Sequence, residues 1–230
     1  MLFKNREGIS NQTSPTNSTD EGKKIIMSNV LFIQANNRPK EQAVSVKLLH
    51  TFIDSYKKSN PEDQITQLDL HAEQLPYLDA NMINGLFKSS RGLEMSPEEQ
   101  KAASTANHYL DQFLSADKIV FGFPVWNITF PAVLHTYLDY LNQAGKTFRY
   151  TPSGPVGLIP EKKVALLSAR GGVADPNSEM AVSLLTRTMQ LFGVEEITTI
   201  VIEGHHQFPD KSEQIIEEGL LQASKAAVSF

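Results

Sequence analysis

The chain has 230 residues, enough for one large domain or two small ones. Apolar residues make up 40% and charged residues 20%, which suits a globular protein and is too apolar for a disordered one. A net charge of −5 without a Lys/Arg stripe, no cysteine, and no apolar run near the roughly 18–20 residues of a membrane helix argue against nucleic-acid binding, disulfides, thiol chemistry and membrane spanning.

The first 26 residues are polar, with little to bury and no signal-peptide core, so their composition predicts a disordered extension. Met27, just before an apolar run, is read as the natural start, with the folded domain over residues 27–230. Residues 29–35 predict a buried strand. Residues 41–58 place Leu49, Phe52, Ile53 and Tyr56 on one helical face, and Pro61 follows as a stop. Residues 64–70 alternate as a second strand. The connection over 71–96 is too long for a bare loop and contains a predicted short helix near 80–88. Pro97, Glu98 and Glu99 open a helix to about residue 115. A strand at 118–123, a helix at 131–144 closed by Gly145, and a strand at 163–169 follow. A helix at 177–192, a strand at 196–203 and a helix at 210–227 complete the chain.

Apolar strands alternating with helices imply an α/β fold with a parallel sheet covered on both faces. Five such strands fit a flavodoxin-like doubly wound sheet of order 2-1-3-4-5. Ligands of such sheets sit at the carboxyl ends of the strands. That rule selects three loops, reading "NNRPKEQ" (36–42), "PVWNITFP" (124–131) and "RGGVADP" (170–176). The first runs into a helix start and is either an anion site or an ordinary polar loop. It has neither dinucleotide nor P-loop glycine spacing, so a single phosphate is the plausible anion. In the second, Pro124 and Pro131 stiffen a turn that holds the only Trp, Trp126. Trp126 either faces a planar ligand or caps the core or an oligomer contact. In the third, Gly171 and Gly172 permit positive φ and close approach to a ligand, or simply make a tight turn.

These loops resemble the FMN-dependent NADH-azoreductases, a flavodoxin-like quinone reductase family. The resemblance rests on Pro124-Val125-Trp126-Asn127-Ile128, on "GKTFRYTPSGPVGL" (145–158) and on Ala169-Arg170-Gly171-Gly172. The stretch "ANNRPKEQAVSVKL" (35–48) is most similar to the firmicute branch. The resemblance implies a homodimer with non-covalent FMN in sites shared across the interface, and NADH as donor. It places the phosphate on Asn36, Gln42, Ala43, Val44 and Ser45. It sets the ring against Pro124, residues 125–128 and 169–172, with the amides of the Trp126–Ile128 turn at its redox edge. Tyr150, Ile128 and His205 are the implied substrate pocket, with His206 beside it.

The sequence departs from the family at Gln42-Ala43-Val44-Ser45, where many members have a Ser-x-Ser pattern. It also departs at Ile128, usually aromatic, and at Ala169, often Ser. The implied reaction is hydride transfer from NADH to FMN, then two-electron reduction of a quinone, with two cycles to cleave an aromatic azo compound. The chemistry belongs to the flavin, so no catalytic side chain is required. No metal-ligand spacing or G-x-S-x-G elbow occurs. Arg149 is read as a surface or interface residue. The alternative is a flavodoxin-like carrier that passes electrons between proteins. A reducing cytosol suits a chain without cysteine, and a cytoplasmic protein is expected.

Overall fold

A computed structural model describes residues 27–230; the disordered extension expected over 1–26 lies outside the described residues. The strand β1 (Asn29–Gln34) is followed by a single 3-10 turn (Lys40–Gln42) and by α1 (Val44–Ser59). Then come β2 (Gln64–Asp69), α2 (Ala80–Ser90), α3 (Pro97–Ser115), β3 (Lys118–Pro124) and α4 (Ala132–Leu141). A hairpin, β4 (Phe148–Thr151) and β5 (Gly154–Gly157), precedes β6 (Lys163–Arg170), α5 (Ala181–Leu191), β7 (Glu196–Glu203) and α6 (Ser212–Ser229).

The main sheet is parallel, in the order β2-β1-β3-β6-β7. Numbering only its strands gives the expected 2-1-3-4-5. Strand residues alternate between two cores because successive side chains point to opposite faces. Val30, Phe32, Val120, Ala165 and Leu167 pack with the α1 and α6 side. Leu31, Ile33, Ile119, Phe121, Val164 and Leu166 pack with α3, α4 and α5. The apolar stripe predicted for α1 is fully inside, with Leu49, Phe52, Ile53 and Tyr56 all buried.

Several helix boundaries differ from the sequence expectation, and three of the differences have a clear local reason. The first helix begins at Val44, not at 41, because Ala43 is extended at φ −133° and separates it from the preceding turn. The fourth helix ends at Leu141, where Asn142 donates both its N–H and its side-chain amide to the Leu138 carbonyl. Gly145 therefore does not close that helix; its N–H donates to the Phe148 carbonyl at 2.7 Å and opens the hairpin. The helix expected from 177 begins at Ala181, because Asp175 accepts from the N–H groups of Asn177 and Ser178 and holds a turn there.

The hairpin is the element that helix and strand periodicity miss. Its strands are only four residues each, and its turn is marked by the Pro-Ser-Gly run at 152–154. Its base is anchored at the amino edge of the sheet. Ile159 N–H donates to the Phe192 carbonyl at 3.0 Å. Gly157 lies so close to Gly193 that a Cβ on Gly157 would sit 2.1 Å from the Gly193 nitrogen.

The long connection after β2 is tied down as well as partly helical. Tyr109 on α3 donates to Glu73, and Tyr140 on α4 donates to the Pro76 carbonyl. Ser96 and Glu99 form a reciprocal capping box at the start of α3, and Lys88 on α2 pairs with Glu99 at 2.7 Å. Among the described residues no helix is long and apolar enough to cross a membrane.

Candidate active site

The carboxyl ends of β1, β3, β6 and β7 surround a cleft of about 220 Å³. Twelve of the residues singled out in the sequence line it: Asn36, Gln42, Ala43, Val44, Ser45, Pro124, Val125, Trp126, Ala169, Arg170, Gly171 and His205. Asn127, Ile128, Gly172 and Tyr150 do not, whereas Arg38 and His206 do. A larger cavity, about 600 Å³, lies among α2, α3 and the end of α4, away from these strand ends. Its volume brings no strand-end loop together, so the smaller cleft is the better candidate.

One wall is the start of α1. Asn36 is buried and organises the loop, accepting from Arg38 N–H at 3.1 Å and donating its amide to Ser45 Oγ at 3.0 Å. The helix has an Ala at its N-cap, no side-chain cap and no acid in its first turn. Ala is a poor N-cap, and the first helical N–H groups have no partner within their own helix. Those of Val44 and Ser45 find no acceptor among the described residues. The positive end of the dipole is thus left for an anion, with the Arg38 side chain on the same cleft.

The floor is the end of β3 beside β6. Val125 N–H donates to the Ala169 carbonyl at 3.0 Å, and Trp126 N–H to the Thr129 carbonyl at 2.9 Å. The amide of Trp126 is therefore spent inside its own turn. The N–H groups of Asn127 and Ile128, at the tip, have no acceptor among the described residues. Asn127 has φ 61°, and no other non-glycine residue among those described has positive φ. Asn tolerates this region better than most side chains. The Trp126 ring is 39% exposed and tilted against His71, 6.4 Å between centroids. His71 was not legible in the sequence, because it follows β2, far along the chain from the turn.

The third wall joins the ends of β6 and β7. Gly171 accepts from the N–H groups of both His206 and Gln207, each at 3.0 Å. Val173 N–H donates to Gln207 Oε1 and Ala174 N–H to Glu203 Oε2. Neither Gly171 nor Gly172 has positive φ, contrary to the sequence expectation. Gly171 is needed for space instead: a Cβ there would lie 2.7 Å from His206 Nδ1.

Arg170 points into the protein rather than out. Its guanidinium bonds Glu179 at 2.5 Å and approaches Glu203 at 4.0 Å. Glu179 also caps α5, accepting from the N–H groups of Val182 and Ser183 and from the Ser183 hydroxyl. Burial pushes the Glu179 carboxyl up, but these N–H groups and Arg170 together hold it below the usual carboxylate range.

An uncapped helix start, a stiff apolar floor and free amides beside it suit a flat ligand that carries a phosphate. This sheet order with a ligand cleft at the β1/β3 switch point defines a flavodoxin-like protein. A family model described as the flavodoxin-like fold matches residues 28–227. The chain is 58% identical over 208 residues to an FMN-dependent NADH:quinone oxidoreductase of Bacillus cereus, covering 89% of this chain and 100% of the relative. A crystal structure of an azoreductase from Bacillus anthracis str. Sterne superposes with TM-score 0.87 at 58% identity, over 89% of this chain and 100% of that one. An FMN-dependent NADH-azoreductase from Bacillus anthracis str. Ames Ancestor, in complex with FMN, gives TM-score 0.77 at 27% identity, over 87% and 100%. The chain belongs to the family of FMN-dependent NADH:quinone oxidoreductases.

Proposed function

We propose that this chain is an FMN-dependent NADH:quinone oxidoreductase that also cleaves aromatic azo compounds to amines. The observation that carries this reading is one cleft that joins an uncapped, acid-free helix start to a proline-stiffened strand end, in a chain 58% identical to a relative named for that activity. FMN, when bound, accepts a hydride from NADH and supplies two electrons to the acceptor.

The residues of the cleft divide the work. The N–H groups of Val44 and Ser45, with Arg38 and Gln42 beside them, would hold the phosphate. Pro124, Val125, Ala169, Arg170 and Gly171 would form the surface against the ring. The free amides of Asn127 and Ile128 offer donors where negative charge gathers. Donor and acceptor would use the same cleft in turn, which predicts ping-pong kinetics.

The protein acts as a homodimer with sites shared across the interface. Around the Trp turn, Trp126 and Ile128 leave 39% and 67% of their surface exposed in the single chain. Tyr150, 76% exposed on a hairpin anchored at the opposite edge of the sheet, does not line this chain's own cleft, which supports a role at the cleft of a second copy. Residues 27–230 form the FMN-binding domain, a reading supported by the family match over 28–227. The setting is cytoplasmic, in keeping with a chain that has no cysteine.

The test uses purified protein loaded with FMN, without oxygen. NADH should bleach the flavin and a soluble quinone should restore it. A flavin that NADH leaves oxidised, but that a reductase protein reduces, would make the chain an electron carrier. Light scattering should give about twice the 25.6 kDa of one chain.

A further inference from the structure

His205 follows β7 and sits on the wall of the cleft. It is only 6% exposed, and its Nδ1 is sealed from solvent without a hydrogen-bond partner among the described residues. Buried polar atoms are nearly always bonded; with Nδ1 sealed, Nε2, which also has no partner among the described residues but is not sealed, is the nitrogen left to meet a ligand in the cleft. The carboxylates nearby already have partners, although Arg170 Nε has none among the described residues. Glu203 takes the Ala174 N–H and approaches Arg170, and Arg170 is bonded to Glu179. Among the described residues no carboxylate bonds the imidazole. The neighbouring ring, His206, lies 4.4 Å away and is exposed, with its backbone N–H bonded to the Gly171 carbonyl. Burial first, and then His206, hold the His205 pKa below its ordinary value. This shift favours the neutral imidazole, which has one donor and one acceptor nitrogen.

We infer that His205 is a direct contact of the bound cofactor, and that its neutral imidazole donates a hydrogen bond to the ring and favours the reduced state over the oxidised one. This rests on the FMN reading above. NADH gives up two electrons and one proton as hydride, and the charge that arrives with them is spread over the ring's polar end. A fixed neutral donor there strengthens its bond as that charge develops, without losing its own proton. Electron and proton balance are unchanged, because His205 contributes only a hydrogen bond.

The test compares wild type with His205→Leu and His205→Gln. Three quantities are read: melting temperature, affinity for oxidised FMN, and the midpoint potential of the bound flavin. In His205→Leu the ratio of reduced to oxidised FMN affinity should fall about tenfold, the scale of one hydrogen bond to a charged group and about 30 mV for a two-electron couple. His205→Gln, which keeps a donor, should recover part of the shift. Loss of FMN from a His205→Leu protein that melts like wild type would also place His205 on the cofactor, and the potential is then read on His205→Gln. If His205→Leu does not fold, His205→Gln decides, with a potential shifted from wild type supporting the contact. An unchanged potential and unchanged affinity in a folded variant would overturn the inference while leaving the FMN reading intact. A wild-type protein that binds no FMN would overturn both.

Discussion

Arg170 and Glu179 meet at 2.5 Å on the wall of the cleft, and the pair holds that wall rather than presenting a charge to the ligand. Both side chains are largely buried, at 13% and 17% exposure. Glu179→Gln would keep the cap on α5 in part but remove the charge opposite Arg170. Partly buried charged hydrogen bonds of this kind contribute on the order of 2 kcal/mol. The variant should melt several degrees lower and release FMN more readily. The pH dependence has a definite sign. Glu179 is held below its ordinary pKa, so its contribution is present above that ordinary value and is lost as pH falls through the lowered one. Wild type should lose stability in that acid range, and Glu179→Gln should lose less over the same range. Equal acid profiles would remove Glu179 from this role.

Gly171 tests the joint between the β6 and β7 loops. Any side chain there meets His206, and valine adds two methyl groups to the 2.7 Å conflict. Gly171→Val should displace the 205–207 loop and cut retained flavin severely, with a smaller effect in Gly171→Ala. Flavin content after gel filtration is the measurement. Full occupancy in the valine variant would mean that this loop is not a wall of the FMN site.

Asn127 tests the Trp turn. Its φ of 61° costs a β-branched residue about 1–2 kcal/mol, while glycine adopts it freely. Asn127→Val should lower the melting temperature and weaken FMN, and Asn127→Gly should nearly match wild type. Thermal melts of both apoproteins separate this backbone effect from any loss of an amide contact, since the glycine variant also lacks the side chain.

Ile128 tests acceptor choice. It is 67% exposed at the tip of the turn, so a change there leaves the core untouched. Ile128→Phe should alter KM for bulky quinones and azo dyes by severalfold, with melting temperature unchanged. Identical KM values across acceptors of different size would take Ile128 out of the pocket.

Lys162 is a purely structural prediction. It is 5% exposed and donates to the carbonyls of Leu114 and Ala116 at 2.7 and 2.5 Å, closing the end of α3. Burial lowers its pKa. Lys162→Met would leave two buried carbonyls without a donor, at a cost of roughly 1–3 kcal/mol each at most. The melt should drop clearly, while turnover per bound FMN stays unchanged.

Much of this protein was legible in its sequence, and for a local reason. Helix and strand periodicities, the helix start at Pro97-Glu98-Glu99 and the proline-bracketed turn depend on residues a few positions apart. They yielded five strands in the right order, the helices between them, and the three loops at the carboxyl edge. Quoted motifs then pointed to the family. The hairpin escaped because four-residue strands carry too little periodicity.

What only the tertiary structure decided are relationships between residues distant along the chain. Arg170 turns inward because Glu179 and Glu203 lie within its reach there. Gly171 is needed because His206 lies against it, not because of its own backbone angle. Ser45 Oγ accepts from the Asn36 amide, which fixes the side chain, and Trp126 spends its N–H on the Thr129 carbonyl, so the backbone donors left free are those of Val44, Ser45, Asn127 and Ile128. His205 is buried on a cleft wall shared with residues that the sequence places apart. Residue type sets which bonds a side chain can make, but the folded packing decides which of them remain open to a ligand.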